Sequence, residues 1–276
     1  MTNLVMKVSI CCFSVLLIWS ISAHSQSTAV ISKNKVSGIY YHKRGTGKPA
    51  IVFVSGLGED HNTWQTVQDS ISKFTLTISY DRAGLGRSEY KGEKKDLGSL
   101  AMELQQLIRT LEVPEPLILV GHSLGCQIVK KYASLYPANV KSIIFLDPGY
   151  DERKLRVILP DTVWQKREQA LKMYQPQFNA AQQAELNSLN KNCELADQIT
   201  LLPKVPILMF TATRINPAFP GSIAELKVKG ETHRLWLESL PWAKQIEVKE
   251  SRHYIQNDEP NLVINVIHKM IQGKAK

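Results

Sequence analysis

The sequence has few cysteines, and it contains none of the common short motifs that bind zinc or nucleotides. Only four cysteines occur among 276 residues, and two of them, Cys11 and Cys12, lie in the first apolar run. Cys126 and Cys193 remain, and no metal-binding spacing links them. The motifs H-E-x-x-H, G-x-x-x-x-G-K-[ST] and a complete G-x-G-x-x-G are all missing. We therefore expect no metal and no cofactor.

A long basic run is also missing, although the chain is basic overall. Lys and Arg number 34 against 25 Asp and Glu, a formal net charge of +9 that falls to +8 without Lys7. Such a charge could favour polyanions, but the basic residues are scattered along the chain. This scatter predicts a basic protein that does not bind nucleic acid. A small-molecule substrate is the expected partner. The sequence does not predict an oligomeric state.

The first 23 residues differ from the rest of the chain. Lys7 is their only charged side chain, an apolar run extends from Val8 to Ile21, and the small residues Ser22 and Ala23 follow. This order is typical of a cleaved secretory signal peptide, and it predicts a secreted or periplasmic protein without stable membrane insertion. A retained membrane anchor is the alternative, although the run is short for a complete span.

The predicted compartment would permit a disulfide between Cys126 and Cys193. However, Cys126 falls on the apolar face of an expected helix. That position favours a buried free thiol.

Apolar strand patterns alternate with helical patterns over most of the remaining chain. The expected strands are 50–54, 75–80, 116–120, 141–146, 205–211 and 245–249, and the expected helices are 64–73, 97–111, 127–136 and 262–271. The alternation predicts an α/β fold with a mostly parallel, doubly wound sheet. Continuously apolar strands fit a sheet that helices cover on both faces.

Residues 148–202 interrupt this alternation. Helical patterns rich in Gln, Lys and Glu replace the strands there. The segment therefore predicts a helical cap inserted between two core segments, 24–147 and 203–276. Four of its residues either line an acyl pocket or form the interior of the cap: Trp164, Met173, Tyr174 and Phe178.

Residues 121–125 read Gly-His-Ser-Leu-Gly and match the pattern G-x-S-x-G. The pattern stands between an expected strand and an expected helix, which is the setting of a nucleophile elbow. A sharp turn there would project the Ser123 hydroxyl above the sheet edge. The N–H groups at the start of the following helix would face a developing negative charge. Ser123 is thus the candidate nucleophile, and a Gly-rich turn with a solvated serine is the alternative.

A serine hydroxyl needs a base to take its proton, and three histidines lie downstream of Ser123. His233 lies in an amphipathic helical pattern, and His268 lies in the last expected helix. Only His253 follows a strand and precedes a helix, so its loop is expected at the strand's carboxyl end. His253 is therefore the candidate general base.

Four segments together resemble the α/β-hydrolase family: Val52 to Gly58, Tyr80 to Ser88, the Ser123 elbow, and His253 to Pro260. The resemblance covers about residues 38–147 and 203–272 and leaves the cap outside. It implies an oxyanion hole formed by backbone N–H groups of Leu124 and Leu57. The segment from Asp81 to Ser88 is expected to be a structural turn, in which Asp81 and Arg82 fix neighbouring loops.

The triad acid departs from the family's commonest pattern. The family most often places it after the strand that corresponds to 205–211, where this chain has no carboxylate. A subset places it one strand earlier, and Asp147 stands at the end of that strand. The resemblance therefore implies that Asp147 orients His253. If Asp147 only caps the first turn of the cap, Asn216 or Glu225 becomes the candidate.

These residues together imply a serine hydrolase that cleaves a carboxylic ester, or a similar acyl bond, through an acyl-enzyme. A small or medium, fairly apolar ester is the expected substrate, and lyase, perhydrolase and peptidase chemistry stay open. A dehalogenase or epoxide hydrolase of this fold needs a carboxylate nucleophile, which Ser123 excludes. The alternative from another class is a catalytically silent ligand-binding protein on the same fold.

Overall fold

The computed structural model of the protein describes residues 32–173, 177–217 and 219–274. The signal peptide predicted for residues 1–23 lies outside these ranges, as does Tyr174. Within them, no helix combines the length and the apolar content that crossing a membrane requires.

An eight-stranded sheet forms the centre of the described chain, in the spatial order β1-β2-β4-β3-β5-β6-β7-β8. Its strands are β1 (Ser32–Val36), β2 (Ile39–Arg44), β3 (Ile51–Val54), β4 (Thr77–Tyr80), β5 (Leu117–His122), β6 (Val140–Leu146), β7 (Ile207–Ala212) and β8 (Lys244–Val248). Strands β3 to β8 run parallel, whereas β1 and β2 pair antiparallel at one edge. The predicted fold class is confirmed, and the antiparallel pair was not predicted.

Helices cover both faces of this sheet. They are α1 (Gln65–Ile71), α2 (Leu97–Thr110), α3 (Leu124–Leu135), α4 (Glu152–Ile158), α5 (Asp161–Lys172), α6 (Ala180–Asp197), α7 (Ser222–Glu238), α8 (Ile255–Asp258) and α9 (Pro260–Ile271), and short 3₁₀ turns occupy His61–Trp64 and Pro137–Asn139. The helix after the elbow begins at Leu124, three residues earlier than the pattern predicted. Ser123 therefore stands directly at a helix N-terminus.

Strand β3 shows why the sheet needs helices on both sides. Ile51 and Phe53 pack into the apolar cluster with α1 and α9, whereas Val52 and Val54 pack into the cluster with α2 and α3. All four side chains are fully buried. Because alternate residues of a strand point to opposite faces, a continuously apolar strand must be covered twice.

Residues 148–202 contain α4, α5 and α6, so the helical content expected of the cap is present. Trp164 packs against a small apolar cluster of Leu155, Leu159 and Val228, which joins α4 to α7. Met173 is largely exposed. Trp164 thus belongs to the interior of the cap, one of the two interpretations that the sequence left open.

Candidate active site

The carboxyl ends of the parallel strands meet at one edge of the sheet. The register pairs Val54 with Gly121, His122 with Leu146, and Leu146 with Phe210. The loops after β3, β5, β6, β7 and β8 therefore emerge side by side. In open α/β sheets, ligands bind outside this edge.

Ser123 occupies the sharp turn between β5 and α3. Its φ of 50° and ψ of −120° lie outside the regions that an L-residue usually adopts. The Ser123 N–H donates to the Leu146 carbonyl at 3.1 Å and fastens the turn to β6. Backbone strain of this kind persists only where the surrounding structure imposes it, and it is concentrated at functional sites.

The two glycines of the motif are required by close backbone approach. A Cβ on Gly125 would lie 2.1 Å from the Val54 carbonyl oxygen, and one on Gly121 would lie 2.5 Å from the carbonyl oxygen of Gly125. Neither overlap can be relieved by a side-chain rotation, because the opposing atoms belong to the backbone. Glycine at both positions lets α3 begin directly above β3 and β5.

Asp147 follows β6 directly and is fully buried. Its N–H donates to the Phe210 carbonyl at 2.9 Å, and its Oδ1 accepts the Ala212 N–H at 2.9 Å. Its Oδ2 accepts from Nδ1 of His253 at 2.7 Å. The backbone of β7 thus orients the carboxylate that contacts His253.

The ionised state of Asp147 decides which nitrogen of His253 carries the proton. Burial alone would raise the pKa of the Asp147 carboxyl, but the His253 hydrogen bond and the Lys229 ammonium hold that pKa well below its usual range. A carboxylate only accepts hydrogen bonds, so the neutral His253 ring carries its proton on Nδ1. Its Nε2 then has a free lone pair and can take a proton from a hydroxyl.

The other two downstream histidines have different hydrogen-bond and packing partners. His233 is buried on α7, between the Thr211 hydroxyl at 2.8 Å and the Pro148 carbonyl at 2.9 Å. Burial lowers the pKa of His233. His268 lies on α9, where its ring centroid is 4.5 Å from that of Phe74. His233 is close enough to Asp147 and His253 to interact with their charges, but its two ring nitrogens contact Thr211 and Pro148. His268 packs against Phe74 instead.

The sequence left open another role for Asp147 and two other candidates for the acid, Asn216 and Glu225. The first cap helix is capped by Asp151, whose carboxylate accepts the Arg153 N–H at 2.9 Å. Glu225 pairs with Arg167 at 2.9 Å. Asn216 lines the same cavity as His253. Asp151, and not Asp147, is thus the N-cap residue of the first helix in the inserted segment. Helix capping therefore does not explain the position of Asp147.

The backbone N–H groups of Leu124 and Leu57 are the predicted oxyanion donors. Leu124 is the first residue of α3, so its N–H has no acceptor inside the helix. Leu57 lies in the loop after β3. Within the part of the chain that the structure describes, neither N–H donates to another protein group.

The loop that carries Leu57 is held by a buried arginine. Arg82 donates to the carbonyls of Ser55 at 2.7 Å and Gly56 at 2.5 Å, and its Nε pairs with Glu185 of α6 at 2.7 Å. Glu185 also accepts the Gly58 N–H at 2.9 Å. Arg82 thus fixes a neighbouring loop as the sequence predicted, whereas the contribution of Glu185 was missed.

A second carboxylate ties the same loop to the loop of His253. Glu59 accepts the Gly56 N–H at 2.7 Å and faces Nδ1 of His122 at 3.2 Å. Nε2 of His122 contacts the His253 carbonyl at 3.0 Å. Burial opposes the charge of Glu59, but the hydrogen bond and the charge of His122 lower the pKa of Glu59 to about 2. The ionised Glu59 therefore joins both loops to β5.

A cavity of about 610 Å³ opens beside the elbow, and both Ser123 and His253 line it. Its volume is within the range of small-molecule sites. The apolar residues in its wall are Leu171, Leu189, Ile215, Phe219 and Leu226. A polar cluster occupies another part of the wall and consists of Tyr150, Glu152, Arg167 and Glu225. The arrangement suits a largely apolar ligand with a reacting group at Ser123.

The chain is similar to a known protein family and to several known sequences. A family model described as the alpha/beta hydrolase fold matches residues 49–267. An uncharacterized Bacillus subtilis protein, YqjL, is 25% identical over 227 residues, which cover 80% of this chain and 83% of that protein. A human (lyso)-N-acylphosphatidylethanolamine lipase is 29% identical over 121 residues. That match covers 42% of this chain and 35% of the lipase.

Solved structures show the same fold at low sequence identity. An esterase from Thermogutta terrifontis superposes with a TM-score of 0.63 and 15% identity, over 91% of this chain and all of that one. A monoacylglycerol lipase from Paleococcus ferrophilus gives a TM-score of 0.63 and 19% identity, over 85% of this chain and 98% of that one. At this level of identity, the likeness is one of fold.

The pair formed by Arg82 and Glu185 yields a stability prediction. Glu185→Gln keeps the side-chain shape but leaves the buried guanidinium of Arg82 without its counter-charge. We expect the free energy of unfolding to fall by about 3–5 kcal/mol, as measured by urea denaturation. Glu238→Gln is the matched control, because it breaks an exposed pair with Arg234 and should leave the stability almost unchanged. Equal effects of the two substitutions would contradict the role of the buried pair.

Proposed function

The chain belongs to the α/β-hydrolase fold family, and on that basis we propose that it is a serine hydrolase. The proposed reaction is the hydrolysis of a carboxylic ester, or a similar acyl bond, through an acyl-enzyme on Ser123. The contact between His253 Nδ1 and Asp147 Oδ2 at 2.7 Å, beside a cavity that Ser123 and His253 share, carries the proposal.

In the proposed mechanism, the Ser123 hydroxyl attacks the ester carbonyl and gives its proton to Nε2 of His253. Asp147 stabilises the imidazolium that forms. The N–H groups of Leu57 and Leu124 bind the oxyanion of the tetrahedral intermediate, which collapses when the leaving alcohol takes the proton from His253. His253 then takes a proton from a water molecule, whose oxygen attacks the acyl-enzyme carbonyl. As the acyl–Ser123 bond breaks and the acid leaves, His253 returns that proton to the Ser123 oxygen. Each oxyanion donor would contribute about 3–4 kcal/mol to transition-state stabilisation.

The substrate class follows from the cavity wall. The apolar side chains of Leu171, Leu189, Ile215, Phe219 and Leu226 favour a fairly apolar acyl or alcohol group of small to medium size. The human relative is named a lipase, which agrees with an ester substrate. A panel of p-nitrophenyl esters of increasing chain length would measure the preference directly.

Labelling with a fluorophosphonate tests the proposed function without knowledge of the natural substrate. An activated serine displaces fluoride and forms a stable bond to phosphorus. We expect one adduct on Ser123 in the wild-type protein, located by mass spectrometry, and none on that peptide in Ser123→Ala. A folded wild-type protein that forms no adduct near neutral pH would contradict the proposal. It would favour the catalytically silent binding protein instead.

The role of Asp147 gives a second prediction. In Asp147→Asn the side chain keeps its size, but it no longer stabilises the imidazolium of His253 or selects its tautomer. We expect the labelling rate of Ser123 to fall by about three to four orders of magnitude, with circular dichroism unchanged. Asp151→Asn is the matched control, because Asp151 caps α4. A rate for Asp147→Asn within tenfold of the wild type would remove Asp147 from the mechanism.

The proposed location is the periplasm or the exterior, after removal of residues 1–23. The proposal depends on the pattern of Lys7, the apolar run and the small residues at Ser22 and Ala23. N-terminal sequencing of the protein from cell fractions should find a soluble chain that begins close to His24. A membrane-bound chain that still carries residues 1–23 would support the retained anchor.

A further inference from the structure

Lys229 lies on α7 and reaches back to the carboxyl edge of the sheet. Its Nζ donates to Oδ2 of Asp147 at 3.1 Å and to the Ala212 carbonyl at 2.6 Å. Its side chain is 12% exposed. Ala212 also donates its N–H to Oδ1 of Asp147. Lys229 therefore binds one carboxylate oxygen of Asp147, and the Ala212 N–H binds the other.

The same oxygen of Asp147 contacts both Lys229 and His253. His253 Nδ1 lies 2.7 Å from Oδ2, and Lys229 Nζ lies 3.1 Å from it, so the two nitrogens are within about 6 Å of each other. An ammonium so close to an imidazole disfavours the protonated ring. The Lys229 side chain is mostly buried, whereas the His253 side chain is 43% exposed, so solvent and salt screen part of this repulsion.

We infer that Lys229 is a positioning residue, which orients the Asp147 carboxylate toward His253 and sets the lower pH limit of base catalysis. The inference rests on the proposed function, since it concerns the same nucleophile and base. Asp147 promotes protonation of His253, and Lys229 opposes it. The balance between these two charges decides at what acidity His253 can still accept the proton of Ser123.

Other titratable or charged groups surround the site and are not changed by a substitution at Lys229. They are His233 on α7, His122 and Glu59 beside the His253 loop, Tyr254, Arg252 and Asp258 next to His253, Arg214 after β7, and Tyr150, Glu152, Arg167 and Glu225 in the cavity wall. Glu225 stands one helical turn before Lys229 but pairs with Arg167. A neutral substitution at Lys229 therefore removes one positive charge and leaves these other groups unchanged.

The sign of the expected effect follows from the repulsion. In Lys229→Met the imidazolium of His253 keeps the attraction of Asp147 and no longer meets the ammonium. The protonated, inactive ring is then populated at higher pH. The acid limb of the rate profile should therefore move upward in pH.

The experiment measures the rate of fluorophosphonate labelling of Ser123 as a function of pH, between about pH 5 and pH 9. Lys229→Met should shift the acid limb upward, and Lys229→Arg, which keeps the charge, should restore it close to the wild-type position. Lys227→Met is the matched control, since Lys227 lies exposed on the same helix. It removes the same charge and should leave the profile unshifted, because its charge is screened by solvent.

Two outcomes would overturn the inference. One is an unshifted acid limb in a folded Lys229→Met protein, and the other is an equal shift in Lys227→Met. If Lys229→Met does not fold, Lys229→Gln removes the same charge with a polar side chain, and the same shift is expected.

A wild-type protein that is not labelled would contradict the proposed function, not the inference. NMR titration of the His253 ring, assigned with His253→Gln, then measures the same shift independently of labelling.

Discussion

The buried carboxylate of Asp147 is the constraint on which the site depends. A fully buried charge is tolerated only where hydrogen bonds and opposite charges compensate for lost solvation. Asp147 receives the Ala212 N–H, the His253 ring and the Lys229 ammonium, which come from β7, the loop after β8, and α7. One side chain thus joins four elements at the carboxyl edge, and the orientation of His253 follows from that compensation.

A second buried ion pair, formed by Arg82 and Glu185, fixes the loop after β3. Arg82 and Glu185 bind the loop after β3 to the turn after β4 and to the cap helix α6. Glu59 and His122 hold that same loop against the loop of His253. The loop that carries Leu57, one of the two proposed oxyanion donors, is therefore held by protein contacts alone. Preorganisation of this kind is what the proposed role of Leu57 requires.

Local patterns predicted the regular parts of this molecule well. The parallel strands β3 to β8 and the helices on both faces follow from continuous apolar runs that alternate with helical periodicity. The elbow at Ser123 was predictable because its glycines are demanded by contacts within a short stretch and with the adjacent strand. Strands β1 and β2 were missed, since an edge pair with mixed polar residues lacks a continuous apolar run.

The sequence by itself determined the fold class and the turn at Ser123, because both depend on neighbours along the chain. It also made His253 the candidate base, from the strand before it and the helix after it. Only the tertiary structure decided which side chains surround that histidine. Asp147 and His253 are 106 positions apart, and Lys229 stands 82 positions from Asp147. No local pattern distinguishes Lys229 from the exposed Lys227, or Glu185 from other glutamates of the cap. Their surroundings arise from the packing of α6 and α7 against the sheet edge, and packing between distant segments leaves no periodic signal in the sequence.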